Sequence, residues 1–110
     1  MARTLDKTQW ETYLDNVAKH LDAEQVEIEV AGLDLGDQIE TEWVPLIGIS
    51  YDPKDDEVSV AVVGAEHLVP KPAEIVVEDN VDGLHWIDIK DGDGHQHIVR
   101  LKKPLALSAG

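Results

Sequence analysis

The residues best able to do chemistry stand in one run, IKDGDGHQHIVRL, residues 89–101. Within it Asp91, Asp93, His95 and His97 alternate with Gly92, Gly94 and Gln96. Alternating oxygen ligands are what a calcium loop uses, and two imidazoles beside a carboxylate are what a transition metal or a proton-transfer site uses. The calcium reading fails on spacing. An EF-hand loop needs glycine at its sixth position and a bidentate acid at its twelfth. With Gly94 in the glycine place the first ligand is Ile89 and the last is Arg100, and with Asp91 first the glycine place holds Gln96 and the last holds Lys102.

A hairpin turn fits the run better. Asp-Gly is a favoured two-residue turn, because glycine enters the left-handed region without strain. A turn centred between Gly92 and Asp93 sets Lys90 against His95, Asp88 against His97, Trp86 against Val99 and Leu84 against Leu101. Ile87 then meets Ile98 on the other face. Asp88, His95 and His97 become the candidate metal ligands at the loop edge, with a plain surface His–Asp pair as the other reading of the same residues. No third strong ligand is evident, so neither a cofactor nor a resident metal is expected.

A second feature is a crowd of acids. Residues 22–57 hold twelve carboxylates and a single base, Lys54. Two alternating segments carry four of them: QVEIEV, with Glu27 and Glu29, and QIETEW, with Glu40 and Glu42. Pairing these segments so that Val30 faces Ile39 and Val26 faces Trp43 sets Glu29 against Glu40 and Glu27 against Glu42. Like charges directly opposite cost up to about 1 kcal/mol each. Glu27, Glu29, Glu40 and Glu42 read first as a solvated face with side chains splayed into water. As a functional group they are a candidate docking face for a basic protein, with a hard-cation site and a raised carboxyl acting as general acid as the alternatives.

Hydrophobic period defines the elements that would hold these groups. Trp10, Leu14, Val17 and Leu21 recur at helical spacing, and Asp6 with Gln9 forms a capping box, so a helix is expected over about residues 6–21. From residue 25 the period becomes two. Alternating segments up to Leu101 predict six to seven short strands joined by short, hence antiparallel, links. GAEHLVPKPAE reads as irregular because of Pro70 and Pro72. EIVVED reads as a strand that lacks a neighbour, which offers an edge for a homodimer. Residues 102–110 read as a tail docked through Leu105 and Leu107. The expectation is one mainly β domain spanning residues 1–110, built as a small barrel of SH3 or Sm type or as a strongly curved sheet.

Composition removes several classes of function. Cysteine is absent, which excludes disulfides, zinc–thiolate centres and thiol nucleophiles. The net charge of −14 repels phosphate backbones and anionic lipid, so neither nucleic acid nor membrane is an expected partner. No apolar run resembles a signal peptide or a membrane span, and a cytoplasmic location is expected. G-x-G-x-x-G, G-x-x-x-x-G-K, G-x-S-x-G and H-E-x-x-H are all missing, and no catalytic residue is nominated.

The stretch EVAGLDLGDQIETEWVPLIGISYDPKDDEV, with Trp10 before it and IVRLKKPLAL after it, resembles a bacterial family of small proteins, domain of unknown function 5335. The resemblance covers nearly the whole chain and implies no established activity, ligand or catalytic residue. The expected function is a noncatalytic interaction or accessory module, in stress physiology or regulation. A divalent-cation or small-ligand binder is the alternative, an enzyme using a carboxylate pair is a third, and adaptation to salt is compatible with each.

Overall fold

In the computed structural model, residues 2–107 are described. Asp6 opens the helical segment, accepting a hydrogen bond from the Thr8 N–H at 3.0 Å while Gln9 reaches back to the Asp6 N–H at 3.4 Å. A 3₁₀ turn at Lys7–Gln9 leads into helix α1, Trp10–Lys19. Its apolar stripe is the one that the spacing defines: Trp10, Leu14 and Val17 are buried. Trp10 stands edge-on to Tyr51, with ring centroids 5.2 Å apart. That pairing anchors the helix on the sheet.

The rest is mainly β, in eight strands: β1 Ala2–Thr4, β2 Gln25–Gly32, β3 Gly36–Asp52, β4 Glu57–Val62, β5 Ala65–Pro70, β6 Pro72–Asn80, β7 Gly83–Asp91 and β8 Gln96–Leu105. They form one antiparallel sheet in the order β1-β6-β7-β8-β2-β3-β4-β5. It is a strongly curved sheet and not a closed barrel, since β1 and β5 end the order. The curl comes from β3. Its first half pairs with β2 and its second with β4, and bulges lie near Glu40, near Glu42–Trp43 and at Ile47. Trp43 sits at φ +49° in this bent region. Bulges increase local twist and bend the strand that carries them. The radius of gyration is 12.9 Å, as small as that of a compact domain of about 100 residues. The sheet therefore wraps round its own apolar face.

Eight strands replace the six to seven expected, for two reasons. GAEHLVPKPAE is not irregular: it holds β5 and the start of β6, with Pro70 last in one strand and Pro72 first in the next. At those places a missing N–H costs the ladder little. Ala2–Thr4 adds β1, which pairs with β6. The EIVVED segment is thus no edge, because β6 lies between β1 and β7. At the other end β8 runs on to Leu105, which is 5% exposed, so residues 102–105 belong to the sheet. Leu107 packs partly against the core, and the expected tail beyond it, 108–110, lies outside the described residues.

Candidate functional site

The β7–β8 turn decides what the histidines do. It is not the two-residue turn that the Asp-Gly pair suggests. The Gly94 N–H donates to the Asp91 carbonyl at 3.1 Å and the Asp91 N–H donates to the His95 carbonyl at 2.9 Å, which makes a three-residue loop of Gly92, Asp93 and Gly94. Gly94 takes φ +87°, the left-handed residue that such loops require. The extra loop residue moves the ladder by one place: Ile89 faces His97, Asp88 faces Ile98, Ile87 faces Val99 and Trp86 faces Arg100. Leu84 meets Leu105 instead of Leu101. A one-place shift turns every side chain to the other side of the strand. His97 thus faces inward, 7% exposed, and Asp88 stays on the opposite face, bonded to Gln96 at 2.9 Å.

Inside, a chain of three groups forms. His97 Nε2 lies 2.9 Å from Asp91 Oδ2, and His97 Nδ1 lies 2.9 Å from His67 Nε2 on β5. Asp91, 9% exposed, is held by three bonds at once, since its Oδ1 also accepts from the Asp93 and His95 N–H groups at 2.9 and 3.0 Å. Burial alone would push the Asp91 carboxyl up, but the bonds from His97 and the two N–H groups outweigh it and hold the group below its ordinary value. Asp91 is therefore an ionised acceptor, and the His97 nitrogen facing it carries the proton.

His95 stands at the rim. Its Nε2 lies 2.9 Å from Asp34 Oδ1, in the turn between β2 and β3, and its Nδ1 lies 3.7 Å from Asp91. The Asp34 bond raises His95 above the ordinary histidine value, and the same bond lowers Asp34. Gly32 makes room for this ring: a Cβ there would come within 2.5 Å of His95 Cδ2. Leu33, Asp34, Asp93, Gly94 and His95 line a shallow hollow of about 570 Å³ beside it.

Of the proposed metal ligands, His95 and His97 come to one end of the sheet, and Asp88 does not join them. The carboxylate they share is Asp91. His67, the third member of the chain, lies thirty positions away in sequence, inside a proline-flanked stretch with no period to mark it. The inward row that holds Val69 also holds His67, so recognising β5 as a strand would have been the signal. Among the described residues no three His, Asp or Glu side chains converge as a metal site. The chain geometry is the reason, since Asp91 and His67 occupy opposite nitrogens of His97 and cannot share an ion with it. Asp88 is left with Oδ1 buried and unpartnered, and burial raises its carboxyl above the ordinary value despite the Gln96 bond.

The four glutamates are also rearranged. β2 and β3 do pair, but Val30 faces Gln38, Glu29 faces Ile39, Ile28 faces Thr41 and Val26 faces Val44. Glu29 does not oppose Glu40, because the bulges in β3 take up the extra residues. Ile39, expected inside, is 50% exposed, and Trp43 is only partly buried. Glu27 and Glu29 are not left to solvent. Arg100, next to them on β8, donates to Glu29 at 2.6 Å and to Glu27 at 3.3 Å. Its bond to Glu29 is the main cause of the lowered Glu29 carboxyl. Glu40 and Glu42 stay exposed.

A second cleft, of about 550 Å³, lies along α1, where Arg3 makes a two-pronged bond to Asp79 at 3.0 and 2.8 Å and Tyr13 donates to the same carboxylate at 2.9 Å. Burial, and then Asp79, push the Tyr13 hydroxyl well above its ordinary value. These groups satisfy one another. None of the described helices is long and apolar enough to cross a membrane.

The chain matches the model of a family of unknown function, DUF5335, over residues 1–109. It is 40% identical over 106 residues to a protein of Aquifex aeolicus (strain VF5) described as uncharacterized, with 96% of each chain covered. No solved structure matches it. The protein belongs to the DUF5335 family.

Proposed function

We propose that the protein is a noncatalytic interaction module that seats a basic, partly apolar protein segment on the arm formed by β2 and β3. One observation carries the reading. At the tip of this arm Leu33 is fully exposed, with Leu35 and Ile39 close behind, inside a stretch that has no Lys or Arg from residue 20 to residue 53. Exposed large apolar groups beside exposed acids suit a partner that brings both leucine-like contacts and positive charge. Arg100 is already shared between Glu27 and Glu29, so the acids most open to a partner are Glu40 and Glu42. The docking face is therefore narrower than the four glutamates and lies nearer the tip.

Titration calorimetry with a synthetic peptide of alternating lysine and leucine tests this. Binding should appear at about 0.01 M salt and weaken at about 0.1 M, where screening shortens to about 10 Å. Replacing Leu33 and Leu35 together by serine should weaken it about tenfold, the loss of about 1.4 kcal/mol of apolar contact. An equal response from an Asp55→Asn/Asp56→Asn variant, with no response to the leucine changes, would remove the arm as the docking face.

A further inference from the structure

Among the described residues β5 ends the sheet and pairs along one side only, with β4. Across the interior it is held by Val69, fully buried, and by His67, which bonds to His97 on β8. That bond depends on how many protons the two rings carry. With Asp91 ionised, His97 Nε2 bears a proton and donates it to Asp91. His97 Nδ1 is then a lone pair, and His67 Nε2–H donates to it. One extra proton can be taken up by reversal: an imidazolium at His97, flanked by Asp91, donates from Nδ1 to a neutral His67. A second extra proton leaves N–H pointing at N–H across 2.9 Å, and no hydrogen bond survives that.

We propose that the His67–His97 pair is a proton-operated latch, which clasps β5 over the β7–β8 hairpin while the two rings share at most one extra proton and lets β5 go when both are charged. The charged surroundings of the pair are known from each element. Glu40 of β3 acts on His67, and Asp91 and Asp88 of β7 act on His97. Asp91 is also 3.7 Å from His95, which pairs with Asp34. Glu66, beside His67 on β5, is exposed and accepts from the Ser59 hydroxyl at 2.7 Å. A metal ion between the same two nitrogens needs bonds of about 2.0–2.1 Å, hence nitrogens about 3.3 Å apart at a tetrahedral centre. The observed 2.9 Å is a hydrogen-bond distance.

Electrostatics sets the pH window. Burial first, and then the nearby His97, lower His67 below the ordinary histidine value, with Glu40 opposing. A folded value below the unfolded one means that the stability from a neutral His67 is complete above about pH 6.5 and is lost as pH falls through the folded value. His95, raised by Asp34, has the opposite sign, and its contribution is lost as pH rises. A melting curve mixes the two effects. Amide exchange read strand by strand separates them.

The experiment is hydrogen exchange on the full chain at about pH 7.5 and about pH 5, corrected for intrinsic rates. The β5 amides should lose about tenfold more protection at the lower pH than those of β7 and β8. In His67→Gln that excess loss should vanish. Unchanged β5 protection at the lower pH, or the same loss in His67→Gln, overturns the latch. Imidazole nitrogen NMR of the unaltered protein is a second reading, in case the variant fails to fold. Coupled titration of His67 and His97 supports the latch, and two independent titrations at ordinary values overturn it. Zinc or nickel added alone, if it shifts both rings stoichiometrically and keeps β5 closed at the lower pH, would make this a metal clasp and overturn the proton latch.

Discussion

Asp91 is the residue on which most of the site depends. It shapes the loop by accepting two backbone N–H groups, and it orients His97 through the third bond. These duties can be separated by substitution. Asp91→Asn keeps an oxygen for the loop and loses the charge that faces His97, so it should cost about 1–2 kcal/mol. Asp91→Ala loses all three bonds and leaves the buried His97 N–H unmet, and about 3 kcal/mol or more is expected. Urea unfolding at neutral pH measures both. Equal losses for the two variants would show that the loop bonds an amide oxygen can keep contribute nothing, and that the charge facing His97 carries the whole effect.

Among the elements, β2, β8 and β3 show how a strand's neighbours change the meaning of its sequence. Glu27 and Glu29 look like half of a repulsive face when β2 is paired only with β3. With β8 on the other side, Arg100 sits between them and the repulsion becomes an ion-pair cluster. Arg100→Met should therefore destabilise by about 1 kcal/mol, and more at low salt, because the two acids are left side by side. Adding Glu29→Gln should recover part of the loss. A double-mutant cycle with no coupling would contradict this account. The β7–β8 hairpin teaches the same lesson through its turn: DGDG permits either a two-residue or a three-residue loop, and only the choice between them puts His97 inside.

For the whole molecule, the net charge of −14 is the dominant fact. Nine basic residues cannot neutralise twenty-three acids, so the folded chain confines repulsion that the unfolded chain spreads out. The melting temperature should rise between about 0.01 M and 0.1 M sodium chloride, as the screening length falls from about 30 Å to about 10 Å. Scanning calorimetry at fixed neutral pH measures this. A melting temperature independent of salt would show that local pairs such as Arg100 with Glu29 already absorb the repulsion.

By itself the sequence determined the elements that depend on local physics: the capped helix with its buried Trp10, Leu14 and Val17, the alternating strands, the mainly β class, and family membership through the EVAGLDLGDQIETEW core. The site was legible only in part. His95 and His97 could be picked out, but spacing matches them with Asp88 and not with Asp91, and their other partners could not be found. The register of β7 on β8 hung on one loop residue, the register of β2 on β3 hung on bulges at Glu40 and Trp43, and His67 entered only because the sheet curls until β5 crosses the interior. Side-chain alternation has a period of two and carries no record of which strand lies opposite or in what phase. Long-range pairing supplies that, and here it turned a surface histidine into the middle of a buried chain.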